Sequence, residues 1–346
     1  MKLRNTLLLM AMAGTLSACA AVTKTDTASK PAAATSGFMG LSTTSDIVVD
    51  NEKAFAGKNQ VIIGSFKVAF VENKKASNKA GGGLMGSGMG GKAKANMELK
   101  GLDMATMQML TDQAYKDFEA KLNASGYTIA DRTPLLSDAG FAKSDSKPSP
   151  FKEEASFFGV ASDTTYMTPT GFGPIHFFMG EYGKTGGFAA MNNPLMAANK
   201  FAGEKGTPVI SVAYLVDFAN TGGHGNKWSM SASMQVSQGI SVTAGSGITW
   251  LGGWQGGTFS ANPNGSVKLG QAVGSDQEFG TVETTTTGAE VAGEVALNVV
   301  TAVLGGGTNQ TRDFAVTTEP GKYAAVAGPV LSQTNSALVS KMASMK

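Results

Sequence analysis

Residues 86–92 (GSGMGGK) have the spacing of a phosphate-binding loop. Gly86-Ser-Gly88-Met-Gly-Gly91 fits G-x-G-x-x-G, and Gly86 to Lys92 fits G-x-x-x-x-G-K. Such loops cradle phosphates on backbone N–H groups at a helix start. Ala93 stands where a hydroxyl would hold Mg²⁺, and Lys92–Lys100 (KAKANMELK) alternates like a strand. A hairpin tip is the better reading of Gly81–Gly91. Leu84, Met85 and Met89 among its glycines leave a membrane- or partner-touching loop open. The histidines are His176, in the apolar run PIHFF, and His224, in the glycine turn TGGHGN. Neither has a local acidic cluster, no G-x-S-x-G occurs, and the spacing supports no metal set. The adjacent carboxylates Glu153 and Glu154 cannot straddle a substrate. Asp217 ends an apolar strand without a sequence partner. The expectation is a protein that is not an enzyme, with no catalytic residues and no metal.

The lone cysteine, Cys19, has a definite context. Lys2 and Arg4 precede an apolar run, Thr6 to Leu16, that is too short to span a bilayer. It ends Leu16-Ser17-Ala18-Cys19. The segment resembles the lipobox of bacterial lipoproteins. The resemblance implies removal of residues 1–18 as a signal peptide and lipidation of the Cys19 thiol and amine by diacylglycerol and palmitate. Several acyl chains anchor stably where one does not. Ala20, in place of the Asp that retains such proteins at the inner membrane, implies the outer membrane, facing the periplasm. The covalent lipid on Cys19 is then the only expected cofactor, and membrane lipid the first expected partner. An ordinary secretory signal with a chance Cys is the alternative.

The chain has 346 residues, with 28 Lys+Arg and 26 Asp+Glu. Lys2 and Arg4 are the only charges in residues 1–18, so the remainder is formally neutral. A neutral chain argues against nucleic-acid binding, and one Cys excludes an internal disulfide framework. Residues 19–45, rich in Ala, Thr and Ser, read as a lipidated tether without the apolar mass to pack.

Gln60–Val71 and Pro208–Phe218 read as buried strands. Asp103–Ala124 places Met104, Met107, Leu110, Ala114, Phe118 and Leu122 on one helical face, with Asp103 as N-cap and Gly126 as stop. Tyr127–Ile129 reads as a short strand, 131–172 as loop-rich and Asn193–Phe201 as a short helix. Ala289–Leu304 is expected to be helical because acids precede an Ala/Val run that stops at Gly305. Arg312–Thr318 reads as a strand, and Lys322–Met345 as a closing helix interrupted near Pro329. The fold class is α+β: a small α/β layer (strand-helix-strand) over 46–220, an attached antiparallel β-hairpin region over 221–287, and C-terminal helices over 288–346 packing on the layer.

Lys227–Leu251 alternates without a break. Trp228, Met230, Met234, Val236, Ile240, Val242, Ile248 and Trp250 fall on one face, and Ser, Gln, Thr or Gly on the other. One strand of that length would be unusually long, so a parity-preserving turn at Ser237-Gln238-Gly239 is expected, with Gly239 left-handed. The hairpin either lays its apolar face on a soluble core or turns those eight residues to lipid. Two strands cannot span alone, so lipid exposure requires a ring of subunits, a homo-oligomer. Lipobox, α/β layer, hairpin region and closing helix together resemble, in organisation only, the curli-type secretion-channel lipoproteins. That resemblance implies an oligomeric, secretion-associated component of the cell envelope. The other functions open at this point are a monomeric lipoprotein holding a small ligand or partner protein, and a hydrolase with an unrecognised site.

Overall fold

The structure is a computed structural model that describes residues 46–79, 92–157, 160–181, 192–222, 233–253, 264–285, 295–296, 299–303 and 309–346. Its strands are β1 (Ile47–Asp50), β2 (Gln60–Lys79), β3 (Lys92–Lys100), β4 (Thr128–Ile129), β5 (Phe151–Phe157), β6 (Val160–Met167), β7 (Val209–Gly222), β8 (Ser233–Val242), β9 (Gly247–Leu251), β10 (Asn264–Leu269), β11 (Val273–Ser275), β12 (Gly280–Thr284), β13 (Val295–Ala296), β14 (Val299–Val303) and β15 (Asn309–Thr318). The helices are α1 (Met104–Ala124), α2 (Thr133–Leu136), α3 (Ala139–Ala142), α4 (Pro194–Lys205) and α5 (Pro320–Ala343).

The α+β class and the closing helix hold, but the sheet is far more extensive than a small layer. Its main path runs β1-β10-β9-β7-β2-β3-β15-β12. The strands expected as a separate hairpin region are part of it: β8 and β9 both pair antiparallel with β7. They do not pair with each other. They form one broken strand along β7, Gly222↔Gln235 to Val216↔Val242 and then Ala213↔Gly247 to Val209↔Leu251. The break at 243–246 is stitched to β7 by Thr243 N–H to the Leu215 carbonyl (2.9 Å) and Leu215 N–H to Ser246 Oγ (3.0 Å). The expected turn at Ser237–Gly239 is therefore wrong. Gly239 lies inside β8, where a Cβ would collide with the Asn220 side chain on β7. The glycine serves a close approach, not a left-handed turn.

The expected helix over 289–304 is also wrong. Val295–Ala296 and Val299–Val303 are strands, and β14 pairs with β8 through Val300↔Val236. Val and Thr lose χ1 freedom in a helix and fit a pleated surface, and an available sheet edge outweighs the acidic first turn. The stretch read as loop-rich contains β5 and β6, whose ladder runs from Phe151↔Tyr166 to Phe157↔Val160.

Helix α1 starts as expected: Asp103 Oδ1 accepts the Thr106 N–H at 2.7 Å. Gly126 beyond its end has φ +78. Helices α1 and α5 lie side by side on one face of the sheet. Phe66 of β2 meets Phe118 of α1 and Tyr214 of β7, with ring centroids 5.6 and 5.8 Å apart. The α5 side chains Tyr323, Val326, Val330, Leu338 and Met342 are buried in the same core. Helix α5 continues through Pro329 rather than breaking there. The opposite face is covered by α2, α3, α4 and the segment 172–181, over a smaller cluster containing Ile62, Leu135, Phe141, Phe178, Phe201 and Leu251.

Candidate functional site

Over Val61–Val71 strand β2 is buried on both faces, so its polar side chains there must find partners inside the protein. Ser65 stands opposite Ser211 in the parallel β2–β7 ladder, and Lys67 lies one step further on the same face. The segment 174–181 closes over them. Lys67 Nζ lies 2.6 Å from Glu181 Oε2, 3.1 Å from Ser65 Oγ and 3.2 Å from Ser211 Oγ. Ser211 Oγ donates to Glu181 Oε1 at 2.5 Å, and Ser65 Oγ to the His176 carbonyl at 3.2 Å. The Phe178 N–H donates to Glu181 Oε2 at 2.8 Å. Lys67 is 1% exposed and Ser211 fully buried. Burial lowers the Lys67 pKa, and the Glu181 carboxylate works against that shift.

An amine beside two hydroxyls has the composition of an activated serine nucleophile. Here every donor already has an acceptor, and the Ser211 proton points at Glu181. The cluster fastens segment 174–181 to β2 and β7. His176 belongs to it as a packed residue, stacked on Phe141 at 4.5 Å and 24°. Its pKa is pushed down to about 4, first by burial and then by the Lys67 charge, so the imidazole is neutral near pH 7.

A second buried pair was invisible in sequence. Asp217, read there as a carboxylate without a partner, meets Lys74 at 2.5 Å, and Lys74 Nζ also donates to the Ala219 carbonyl at 2.9 Å. Asp217 Oδ1 in turn accepts the Phe218 N–H at 2.8 Å and the Ala219 N–H at 3.3 Å. The pair sits where β7 leaves β2 after Phe70↔Val216 and β3 takes the vacated edge from Asn73↔Glu98. Residues 143 positions apart meet only through this topology.

Glu153 and Glu154 lie on β5, where Glu154 stands opposite Asp163. Adjacent strand residues point to opposite faces, which separates these two carboxylates. Lys92 opens a strand in register with Lys79 instead of a helix, so no phosphate loop geometry follows it. Cys19, His224 and the loop Gly81–Gly91 lie outside the described residues. Among the described residues no group of His, Cys, Asp or Glu could hold a metal ion. No described helix is long and apolar enough to cross a membrane.

The residues read as possible lipid-facing positions divide. Trp228 and Met230 lie outside the described residues, and of Met234 only the backbone in β8 is described. Val236, Ile240, Val242, Ile248 and Trp250 are each 0% exposed in the main core. Trp250 packs on Phe55 at 4.8 Å and Tyr127 at 6.4 Å. The lipid-facing expectation fails for these five, because their apolar face is covered by the protein's own aromatic and helical residues.

Two surface features remain. The first is a set of strand ends. β2 and β3 stop at Lys79 and Lys92, β5 and β6 at Phe157 and Val160, and β7 and β8 at Gly222 and Ser233. β12 ends at Thr284, and β14 and β15 meet the same end at Val303 and Asn309. The registers place all of these on one end of the sheet. The second is a cavity of about 310 Å³ between α1 and α5, lined by Leu110, Gln113 and Asp117 from α1 and Ala325, Pro329 and Ser332 from α5, among others. Asp117 at its polar end accepts from Asn335 Nδ2 at 2.8 Å and from Ser332 Oγ at 3.2 Å, and it pairs with Lys121. Pro329 has no N–H to give the Ala325 carbonyl. No protein-family model, curated protein or solved structure matches this chain.

Proposed function

We propose that the chain is a lipid-anchored cell-envelope protein with a structural or assembly role. In this reading it is a periplasm-facing, outer-membrane component that acts by self-association rather than by catalysis. The observation that carries the reading is the gathering of strand ends at one end of a rigid sheet. The segments that join those strands are 80–91, 158–159, 223–232, 286–294 and 304–308, and their only charges are Lys227, Glu290 and Glu294. Loops on a rigid scaffold are where recognition concentrates, and interface cores are depleted in charge. Assembly through this end replaces the idea of a ring closed by residues 228–250, most of whose described apolar side chains are core. Residues 1–19 support the anchor, because the order of charge, apolar run, small residues and Cys is that of a lipobox.

Detergent extraction from the native envelope, followed by sizing and negative-stain imaging, tests the assembly. A ring or other closed oligomer is expected. A monomer whose solubility is indifferent to detergent once Cys19 is replaced and residues 1–18 are deleted would overturn it. The monomeric ligand-binding alternative has one observation in its favour, the cavity between α1 and α5. It predicts a monomer with ligand-dependent stabilisation, which the sizing experiment distinguishes.

A further inference from the structure

Arg132 follows β4 and lies against Phe172 of the loop 168–173. Its Nη1 donates to the Phe172 carbonyl at 2.8 Å, and its Cζ stands 3.4 Å from the centre of the Phe172 ring. The Nε and Nη2 atoms are shielded from solvent, and among the described residues neither has an acceptor. Their N–H groups run parallel along one edge of the guanidinium. That edge is the fork that grips a planar carboxylate with two bonds, which no lysine can do. The chain otherwise relies on lysine: beyond residue 4 its arginines are Arg132 and Arg312.

Among the described residues no acid pairs with this guanidinium. Asp131 instead accepts from the Thr133 N–H at 2.9 Å and from Thr133 Oγ1 at 2.8 Å, and Glu119 stands beside the Tyr115 hydroxyl. Burial pulls the Arg132 pKa down to about 10, opposed by Tyr115 rather than by a carboxylate. The group is still protonated at pH 7. Lys67 is matched by Glu181 at 2.6 Å. His176 feels both cations: burial first, then the Lys67 and Arg132 charges, hold its imidazole neutral. The neighbourhood of His176 is therefore left with one positive charge in excess. A charge shielded from water is costly unless it is paired. Water can accept from a donor but brings no charge, whereas an anion supplies both. A carboxylate carries one negative charge and matches the excess, while a phosphate carries more than one near pH 7.

Phe172 and Tyr115 form aromatic walls beside Arg132, with ring centroids 5.3 Å apart. The Phe172 ring sits on a loop with pivots. Gly171 and Gly173 on either side of it have φ +75 and +93, and a Cβ at either would meet nothing. The loop is fastened to α1 through Asp112, which accepts the Thr170 N–H at 2.7 Å and Thr170 Oγ1 at 2.8 Å, and through Gln108 Nε2, which donates to the Thr168 carbonyl at 2.9 Å. The Asp112 bonds are exposed to solvent, and segments held by exposed polar bonds are the ones that open locally. We propose that Arg132 anchors a binding site for a small molecule with one carboxylate and an aromatic or apolar body, which reaches the Nε–Nη2 edge as Phe172 moves aside. The site needs neither a membrane nor self-association, so it stands or falls apart from the envelope reading.

The test is titration of the full chain with acetate, benzoate, benzamide and inorganic phosphate at constant ionic strength. In the proton–nitrogen NMR spectrum the Arg132 Nε–H signal is the one lost in Arg132→Lys and retained in Arg312→Lys. Benzoate should move that signal and raise the urea midpoint, with a dissociation constant on the order of 1 mM, as suits a ligand of that size. Acetate should move the same signal at higher concentration. Benzamide, which keeps the ring and lacks the charge, should do neither. Arg132→Lys keeps a positive charge but loses the paired edge, so its benzoate affinity should fall by about ten-fold or more. An Arg132 signal that neither carboxylate moves overturns the proposal, and this reading is taken on the parent protein whatever the variant's stability. An equal response to benzamide, or parent-like benzoate binding by Arg132→Lys, also overturns it. A stronger response to phosphate than to benzoate overturns the carboxylate assignment.

Discussion

Lys74 Nζ and Asp217 Oδ2 stand 2.5 Å apart where β2 exchanges one neighbour, β7, for another, β3. Both side chains are nearly excluded from water. A charge left alone at this depth is costly, whereas replacing both partners by apolar groups can be neutral. Lys74→Met should therefore cost about 3–5 kcal/mol of unfolding free energy, and Asp217→Leu a similar amount. The double variant should cost clearly less than the sum. Urea midpoints of the four proteins provide the check, and simple additivity would show that the pair is not coupled.

His176 makes the fold acid-sensitive. Its folded-state pKa of about 4 lies below the ordinary value of 6.5, so the unfolded chain binds the proton more readily. The stability is fully present above pH 6.5 and is lost as the pH falls from there toward 4. Between pH 7 and pH 4 the loss from this group should be about 3 kcal/mol. Unfolding titrations of the parent and His176→Gln at both pH values should show a shallower acid slope for the variant. Parallel slopes would exclude His176 as the cause.

Val242 distinguishes a core face from a lipid face. It stands between Val216 and Val273 in the middle of the sheet. Val242→Lys should destabilise the soluble, unlipidated protein by several kcal/mol, on the order of 4, with no membrane present. A variant that folds normally in buffer but fails to assemble in the envelope would mean that Val242 faces lipid.

Gly328 lies in α5 beside the cavity, and a Cβ there would meet only Leu110 Cδ2, at 3.9 Å. Gly328→Ala should therefore gain about 1 kcal/mol from reduced backbone freedom in the unfolded chain. A raised urea midpoint is the expected reading. A lowered one would indicate that α1 and α5 approach more closely at this point.

The sequence was most legible where local rules decide the structure. Asp103 and Gly126 bracket α1 because a cap and a stop act within a few residues, and the apolar spacing of Met107, Leu110, Ala114 and Phe118 predicted the buried face. Strand identity was also legible over Ser233–Val242 and Gly247–Leu251, but the pairing was not. Alternation reports a face, not a partner, and a single long strand against β7 satisfies the same pattern as a hairpin. Gly239 was misleading because a glycine needed for close approach looks the same as one needed for a turn. The Val-rich run over 295–303 went to the sheet because β8 offered an edge, which no local window contains. Lys67–Glu181 and Lys74–Asp217 join residues far apart in the chain. Their only sequence trace is a charged residue in or beside an otherwise apolar strand, and Lys67 and Asp217 both show it.

Strand β3 depends on β15 for one of its edges, and α1 depends on α5 for its side-by-side packing partner, although more than half the chain separates the members of each pair. A ribosome that has synthesised only the first 300 or so residues therefore holds a polypeptide with an open edge and an uncovered apolar face. Such long-range pairing folds slowly. Both gaps are closed only when β15 and α5, which follow one another in the chain, have been made.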